Sequence, residues 1–182
     1  MSYTPIQELF DGPVDVVGDL HGEATALAQL MRKLGYDAYG SHPEGRRLVF
    51  VGDLVDRGEN SPAVVEIVAG LMDKGRAQCV LGNHELNLLL DERKEGNGWF
   101  YPLDDDHDYA KGHFVEARRP DPSQRQDILN WFAQLPLALE RRDLRVVHAS
   151  WHQPAIDALR EELRGVRELY AAWSDRLGAR LP

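Results

Sequence analysis

The chain has 182 residues, 43% of them hydrophobic, which suits one domain with a core of its own. Acidic side chains outnumber basic ones 30 to 21, and the net charge of −9 disfavours nucleic acid and anionic membranes as partners. The single cysteine, Cys79, excludes an internal disulfide framework, and no apolar stretch has the length of a membrane span or the setting of a signal segment; both features point to the cytoplasm.

Taken in chain order, short apolar runs alternate with helical patterns. Residues 14–17 read as a strand, after which Leu27, Leu30, Met31 and Leu34 recur at helical spacing until Gly35 stops them. Residues 48–51 form the second strand, and Ser61-Pro62 opens a helix, Ser61 as its cap and Pro62 at its first position, carrying Val64, Ile67, Val68 and Leu71 to a stop at Gly75. The third strand covers 78–81, with Cys79 as a packed core thiol, and a short helix follows over 85–90. Residues 96–122 are long for a connection in a compact domain, which marks a lid or an insertion. Within them Trp99, Phe100 and Tyr101 read as loop anchors, and Asp104-Asp105-Asp106-His107-Asp108 as a solvated acidic loop. Ser123 and Gln126 make a capping box ahead of Ile128, Leu129 and Phe132, and residues 144–147 are a further strand. Pro154 opens a last amphipathic helix with Leu159, Leu163, Val166, Tyr170 and Trp173 on one stripe. Such alternation predicts an α/β fold with mostly parallel strands.

Polar groups cluster where these strands end. The first strand runs into GDLHG (18–22), the second into GDLVDRG (52–58), the third into GNHE (82–85), and the strand at 144–147 ends at His148. Ligands of open α/β sheets gather outside the carboxyl ends of parallel strands. Four parallel strands would therefore bring Asp19, His21, Asp53, Asn83 and His148 to one edge. Carboxylate, amide and imidazole donors suit Mn²⁺, Fe or Zn²⁺. Five of them exceed the needs of one catalytic zinc, whereas a two-metal site bridged by Asp53 uses them all. Such a site holds a hydroxide for in-line attack at phosphorus. Arg57 then offers a planar fork to phosphate oxygens, His84 a proton to the leaving oxygen, and Asp56 a brace for the His84 imidazole. Each residue also has a plainer reading alone: GDLHG as a turn, Asn83 as a helix cap, His148 as a core histidine, His152 as a helix-entry residue. The set in order is what argues for a site.

GDLHG, GDLVDRG and GNHE in this order resemble the signature of metallophosphoesterases of the serine/threonine phosphoprotein phosphatase type. The likeness is close over residues 19–85 and looser to VVHAS at 146–150. It implies a four-layer α/β/β/α sandwich with a dinuclear centre. One metal would take Asp19, His21 and Asp53, and the other Asp53, Asn83 and His148. Arg57, Asn83 and His84 would contact the substrate, with His84, Asp56 and Arg57 as the catalytic set. Two departures stand out. Leu81 occupies the position where many members carry a phosphate-holding arginine, a feature similar to the diadenosine tetraphosphatase branch, although that branch usually lacks an aspartate matching Asp56. The family's later metal histidine has no counterpart, since only His152 follows His148. The expectation is a single catalytic domain over 1–182, incomplete toward its C-terminus and lacking the final strands. Its expected activity is hydrolysis of phosphomonoesters of the phosphoprotein Ser/Thr type with two divalent ions, Mn²⁺ foremost. The alternatives are dinucleoside polyphosphate hydrolysis, or a metal-binding module of low activity.

Overall fold

The computed structural model describes residues 3–101 and 117–178, without the side chains of 176–178. Along the chain β1 (Ile6–Glu8) and β2 (Val14–Val17) precede α1 (Ala24–Leu34), β3 (Arg47–Phe50), α2 (Ser61–Asp73), β4 (Ala77–Cys79) and α3 (Asn83–Leu89). Then come α4 (Pro122–Phe132), β5 (Ala138–Arg141), β6 (Leu144–Val147), α5 (Gln153–Arg160) and α6 (Val166–Gly178). β2, β3 and β4 form a parallel sheet in that order, with Val17 beside Phe50 and Phe50 beside Cys79.

Successive side chains of a strand point to opposite faces, and β3 buries both. Leu48 and Phe50 face Leu27, Met31, Val64, Val68, Leu88 and Phe132 from helices α1 to α4. Val49 faces the other way, with Val80, against Leu139 and Val146 of a second sheet ordered β1-β5-β6 and against Leu9 just past β1. The outer face of that second sheet packs Ala138 against Ile156 and Leu159 of α5 and Leu169 of α6. The result is the expected four-layer α/β/β/α sandwich. Phe50 has no exposed surface, so its truncation to alanine should cost about 3–5 kcal/mol.

Several local expectations need correction. β6 does not join the parallel sheet; it pairs antiparallel with β5, with Ala138 opposite Val147. β1 and β5 were not legible, since Ile-Gln-Glu and Ala-Leu-Glu-Arg are too short and too polar to show a period. Asn60 rather than Ser61 caps α2, accepting the Ala63 N–H at 3.1 Å. Asp121 caps α4 through a box with Gln124, two residues before the expected one. The last helix is broken between Arg160 and Val166, at a stretch containing Gly165, a poor helix former. The break lets Leu159 and Leu169 both reach the sheet, and it leaves Leu163 79% and Tyr170 41% exposed, off the expected stripe. Cys79 is fully buried, and desolvation raises its thiol well above the ordinary value, as a packed core thiol should be. Trp99, Phe100 and Tyr101 are buried in the main core, which agrees with anchoring. The acidic run at 104–108 lies outside the described residues. No helix among the described residues is long and apolar enough to cross a membrane.

Candidate active site

The site begins where β2, β3 and β4 end, at three turns that touch through their backbones. The N–H groups of Leu20 and His21 both donate to the Asp53 carbonyl at 2.9 Å, lacing the first turn to the second. The second and third turns meet at Gly52 and Gly82. A Cβ on Gly52 would lie 2.6 Å from Gly82 Cα, and one on Gly82 would strike the Asp53 amide and carboxylate. Only glycine fits at this crossing. Strain concentrates here too. His21 (φ 43°), Asp53 (50°), Asp56 (74°) and Arg57 (69°) all adopt the left-handed region, at about 1–3 kcal/mol each.

Glu85 holds the strained turns in place. Its fully buried carboxylate accepts the N–H groups of Asp53 (2.9 Å), Leu54 (2.8 Å) and Gly82 (3.0 Å). Burial, with the nearby Asp53 charge, pushes its pKa up to about 7, against the pull of those three hydrogen bonds. The sequence reading gave Glu85 no role. Its signal is the acid three residues after a helix cap, which reaches back to the cap's N–H.

Asp53 is 5% exposed and receives the His84 N–H at 3.1 Å on Oδ1. Its carboxylate lies 3.8 Å from His84 Nε2 and 3.5 Å from His148 Nε2. Asp53 also belongs to two groups of potential ligands. Donor atoms of His21, Asp53 and His84 all lie within 4.8 Å of one another, as do those of Asp19, Asp53 and His148. These groups divide the residues differently from the expected sets, with Asp19 beside His148 and His21 beside His84, although Asp19 and His21 are only 3.9 Å apart. His148 arrives from the second sheet because the stacked sheets place the end of β6 near the end of β3. There its Nδ1 donates to the Val51 carbonyl at 2.8 Å. His21 does the same to the Val55 carbonyl at 3.1 Å. A carbonyl can only accept, so Nδ1 is the protonated nitrogen of each ring in its neutral form, which leaves Nε2 as the atom able to bind a cation. Nε2 of His148 stands 2.9 Å from the Asn83 side-chain amide, which joins the two expected ligands.

The remaining residues flank this cluster. His84 Nδ1 donates to Asp56 Oδ2 at 2.6 Å, and Asp56 is fully buried. Burial pulls the His84 pKa down, but the hydrogen bond to Asp56 and the charges of Asp56 and Asp53 prevail, so it rises above the ordinary value. Asp56 is further held by its N–H on Ser61 Oγ (3.0 Å) and by Trp99 Nε1–H on its Oδ1 (2.6 Å). The exposed Arg57 guanidinium spans the rim, 3.0 Å from His21 Nε2 and 3.4 Å from His84 Nε2. All eight residues singled out in the sequence therefore meet on one rim. His152 does not join them; it caps α5 with its residue exposed and enters neither group of ligands. Leu81 is buried in the main core and offers the rim no polar contact.

The sequence matches the calcineurin-like phosphoesterase family over residues 12–176. A Bacillus velezensis protein named bis(5'-nucleosyl)-tetraphosphatase PrpE (asymmetrical) is 37% identical over 144 residues, covering 74% of this chain and 55% of that protein. A Marinomonas protein named bis(5'-nucleosyl)-tetraphosphatase, symmetrical, is 43% identical over 122 residues, covering 67% of this chain and 38% of its own length. The crystal structure of a candidate diadenosine tetraphosphatase superposes with a TM-score of 0.51 at 27% identity, over 82% of this chain and 56% of that one. The chain thus spans about half the length, or less, of the proteins it matches. The family match starts ahead of β2 and ends within α6, so every residue of the rim falls inside it: the chain belongs to the calcineurin-like phosphoesterases.

Proposed function

We propose that this chain hydrolyses phosphoric anhydrides of the dinucleoside polyphosphate class, with two divalent cations at the rim. The observation that carries the reading is Asp53, shared by two groups of ligand atoms, one of which includes His84, with Asp56 and Arg57 beside them. The donors fit such ions: carboxylates, an amide oxygen, and two imidazoles able to bind through Nε2. Asp19, His21 and Asp53 would hold one ion, and Asp53, Asn83 and His148 the other, with Mn²⁺ the first choice and Fe or Zn²⁺ compatible. Bound there, the ions would supply water of lowered pKa and neutralise phosphate oxygens.

The chain's own groups do the rest. Arg57, exposed at the rim, clamps non-bridging phosphate oxygens, with Asn83 and His84 beside it. His84 gives a proton to the departing oxygen, and Asp56 keeps its ring turned toward that oxygen. Two relatives that carry tetraphosphatase names support the substrate class, and so does Leu81, which leaves Arg57 without a second guanidinium at that position.

A second reading, phosphomonoester hydrolysis on phosphoserine or phosphothreonine, has one observation in its favour. The short His84–Asp56 bond supports a proton donor, and an alkoxide leaving group needs one more than a phosphate does. A panel of diadenosine tetraphosphate, a phosphopeptide and p-nitrophenyl phosphate on Mn²⁺-loaded protein decides between them. The highest kcat/KM is expected on the dinucleotide. Preference for the phosphopeptide would overturn that reading, and two bound ions with no turnover on any substrate would leave a binding module.

A further inference from the structure

We propose that Trp99 is a positioning residue for the proton donor, acting through Asp56; this rests on the acid role proposed above for His84. Asp56 has no exposed surface, and its two carboxylate oxygens are used on different partners. Oδ2 takes the His84 Nδ1–H and Oδ1 takes the Trp99 Nε1–H, both at 2.6 Å. The terminal torsion of an aspartate is soft and broad, so one hydrogen bond leaves the carboxylate plane free to turn. Two donors on opposite oxygens fix it, and a fixed carboxylate fixes the imidazole that it holds.

The indole is placed firmly enough for this task. Trp99 is 3% exposed and meets Phe100 edge-on, with ring centroids 5.3 Å apart at 70°. The Gly96 carbonyl accepts the Arg57 N–H at 3.0 Å, and a Cβ on Gly96 would come within 3.0 Å of Arg57 Cγ. The stretch leading to Trp99 therefore lies against the backbone of Arg57, next to Asp56. An anchoring role alone would be served by any large apolar ring. An indole adds one donor, and here that donor is spent on the carboxylate that braces His84.

Proton delivery should then depend on the Trp99 N–H, whereas metal retention and phosphate grip should not. Trp99→Phe keeps a buried ring and deletes the donor. On the Mn²⁺-loaded chain, kcat for an alkyl phosphate is expected to fall about 10- to 100-fold, the scale of one hydrogen bond to a charged group. KM and metal content should hold. The loss should be several-fold smaller for p-nitrophenyl phosphate, whose leaving group needs no proton. In an Asp56→Asn background the same change should add little, because the carboxylate it orients is gone. Should Trp99→Phe not fold, benzothienylalanine placed at position 99 keeps the indole shape without the N–H and carries the same expectation. Equal losses on both substrates, or full additivity with Asp56→Asn, would overturn the proposal. His84→Asn, run alongside, separates the two layers. If it discriminates between leaving groups and Trp99→Phe does not, Trp99 alone is excluded. If His84→Asn itself does not discriminate, the acid assignment falls and takes this proposal with it.

Discussion

The backbone N–H of His84 donates to Asp53 Oδ1 at 3.1 Å, so the residue read as proton donor also aims the carboxylate read as the bridge. The contact exists because Gly82 lets the start of α3 sit directly on the turn after β3. Acid and bridge are thus set by the same crossing of two backbones, and a change in that crossing should reach both.

Asp53→Asn keeps the shape of this junction and removes its charge. Both cations should be lost, because the shared residue serves each group of ligands. Asp19→Asn, on the exposed side of one group only, should mainly empty one site. Elemental analysis after gel filtration is the measurement. Full occupancy of both sites in the Asp53 variant would remove it as a bridge.

Gly82→Ala tests the crossing itself. The backbone angle at Gly82 (φ −93°) suits any residue, so the cost is steric: the new methyl meets the Asp53 amide, its carboxylate and Glu85. Overpacking of this kind costs about 1–3 kcal/mol. Urea unfolding should show that loss, and metal content should fall with it. A variant as stable as the parent with both ions bound would mean that the turns are loosely joined.

Glu85→Gln leaves one acceptor oxygen where three amide N–H groups now share two. At least one buried donor would lose its partner, at about 1–3 kcal/mol. The variant should melt lower and release metal to mild chelation, although Glu85 belongs to neither ligand group. Unchanged melting and unchanged retention would show that the turns support themselves.

How far the sequence carried this picture varied with the kind of signal. The inner sheet was legible because β3 buries both faces, which requires an unbroken Leu-Val-Phe run. The rim was legible because polar residues at strand ends have few structural reasons to recur three times. β1 and β5 were hidden by their brevity, and the antiparallel β6 by an assumption that all strands share one sheet; His148 reached the rim regardless, across the stacked sheets. The polar contacts that Glu85 and Trp99 make at the site went unread for another reason. Their importance lies in which backbone or carboxylate each residue touches, and no spacing in the sequence encodes a partner 31 or 43 residues away.

Arg57→Ala removes the guanidinium that spans His21 and His84 at the rim. If it holds phosphate in ground and transition states alike, KM should rise and kcat fall together, with kcat/KM lower by about 100-fold or more. Arg57→Lys should recover little, since an ammonium cannot make the planar two-point contact. Steady-state kinetics on the dinucleotide checks this, and an unchanged kcat/KM would take Arg57 out of substrate binding.

The pH dependence follows from the His84–Asp56 pair. An ordinary histidine titrates near ~6.5, and His84 is raised above that because the hydrogen bond and charge of Asp56, with Asp53, outweigh its burial. A raised pKa means that the folded chain prefers the imidazolium. The stability this contributes is fully present below ~6.5 and is lost as pH climbs through the raised value. A donor braced by Asp56 should likewise keep its proton to higher pH than the same donor without the brace, so the alkaline limb of kcat on an alkyl phosphate, compared between parent and an Asp56 variant, reports the effect of Asp56. Asp56→Asn removes the largest raising influence and leaves burial, which acts downward. The alkaline limb should therefore shift to lower pH in the variant. The gap in melting temperature between parent and variant, measured without metal, should be widest at pH 6 and narrower at pH 9. A limb that stays in place while the melting gap follows this course would assign Asp56 to the fold and not to the acid.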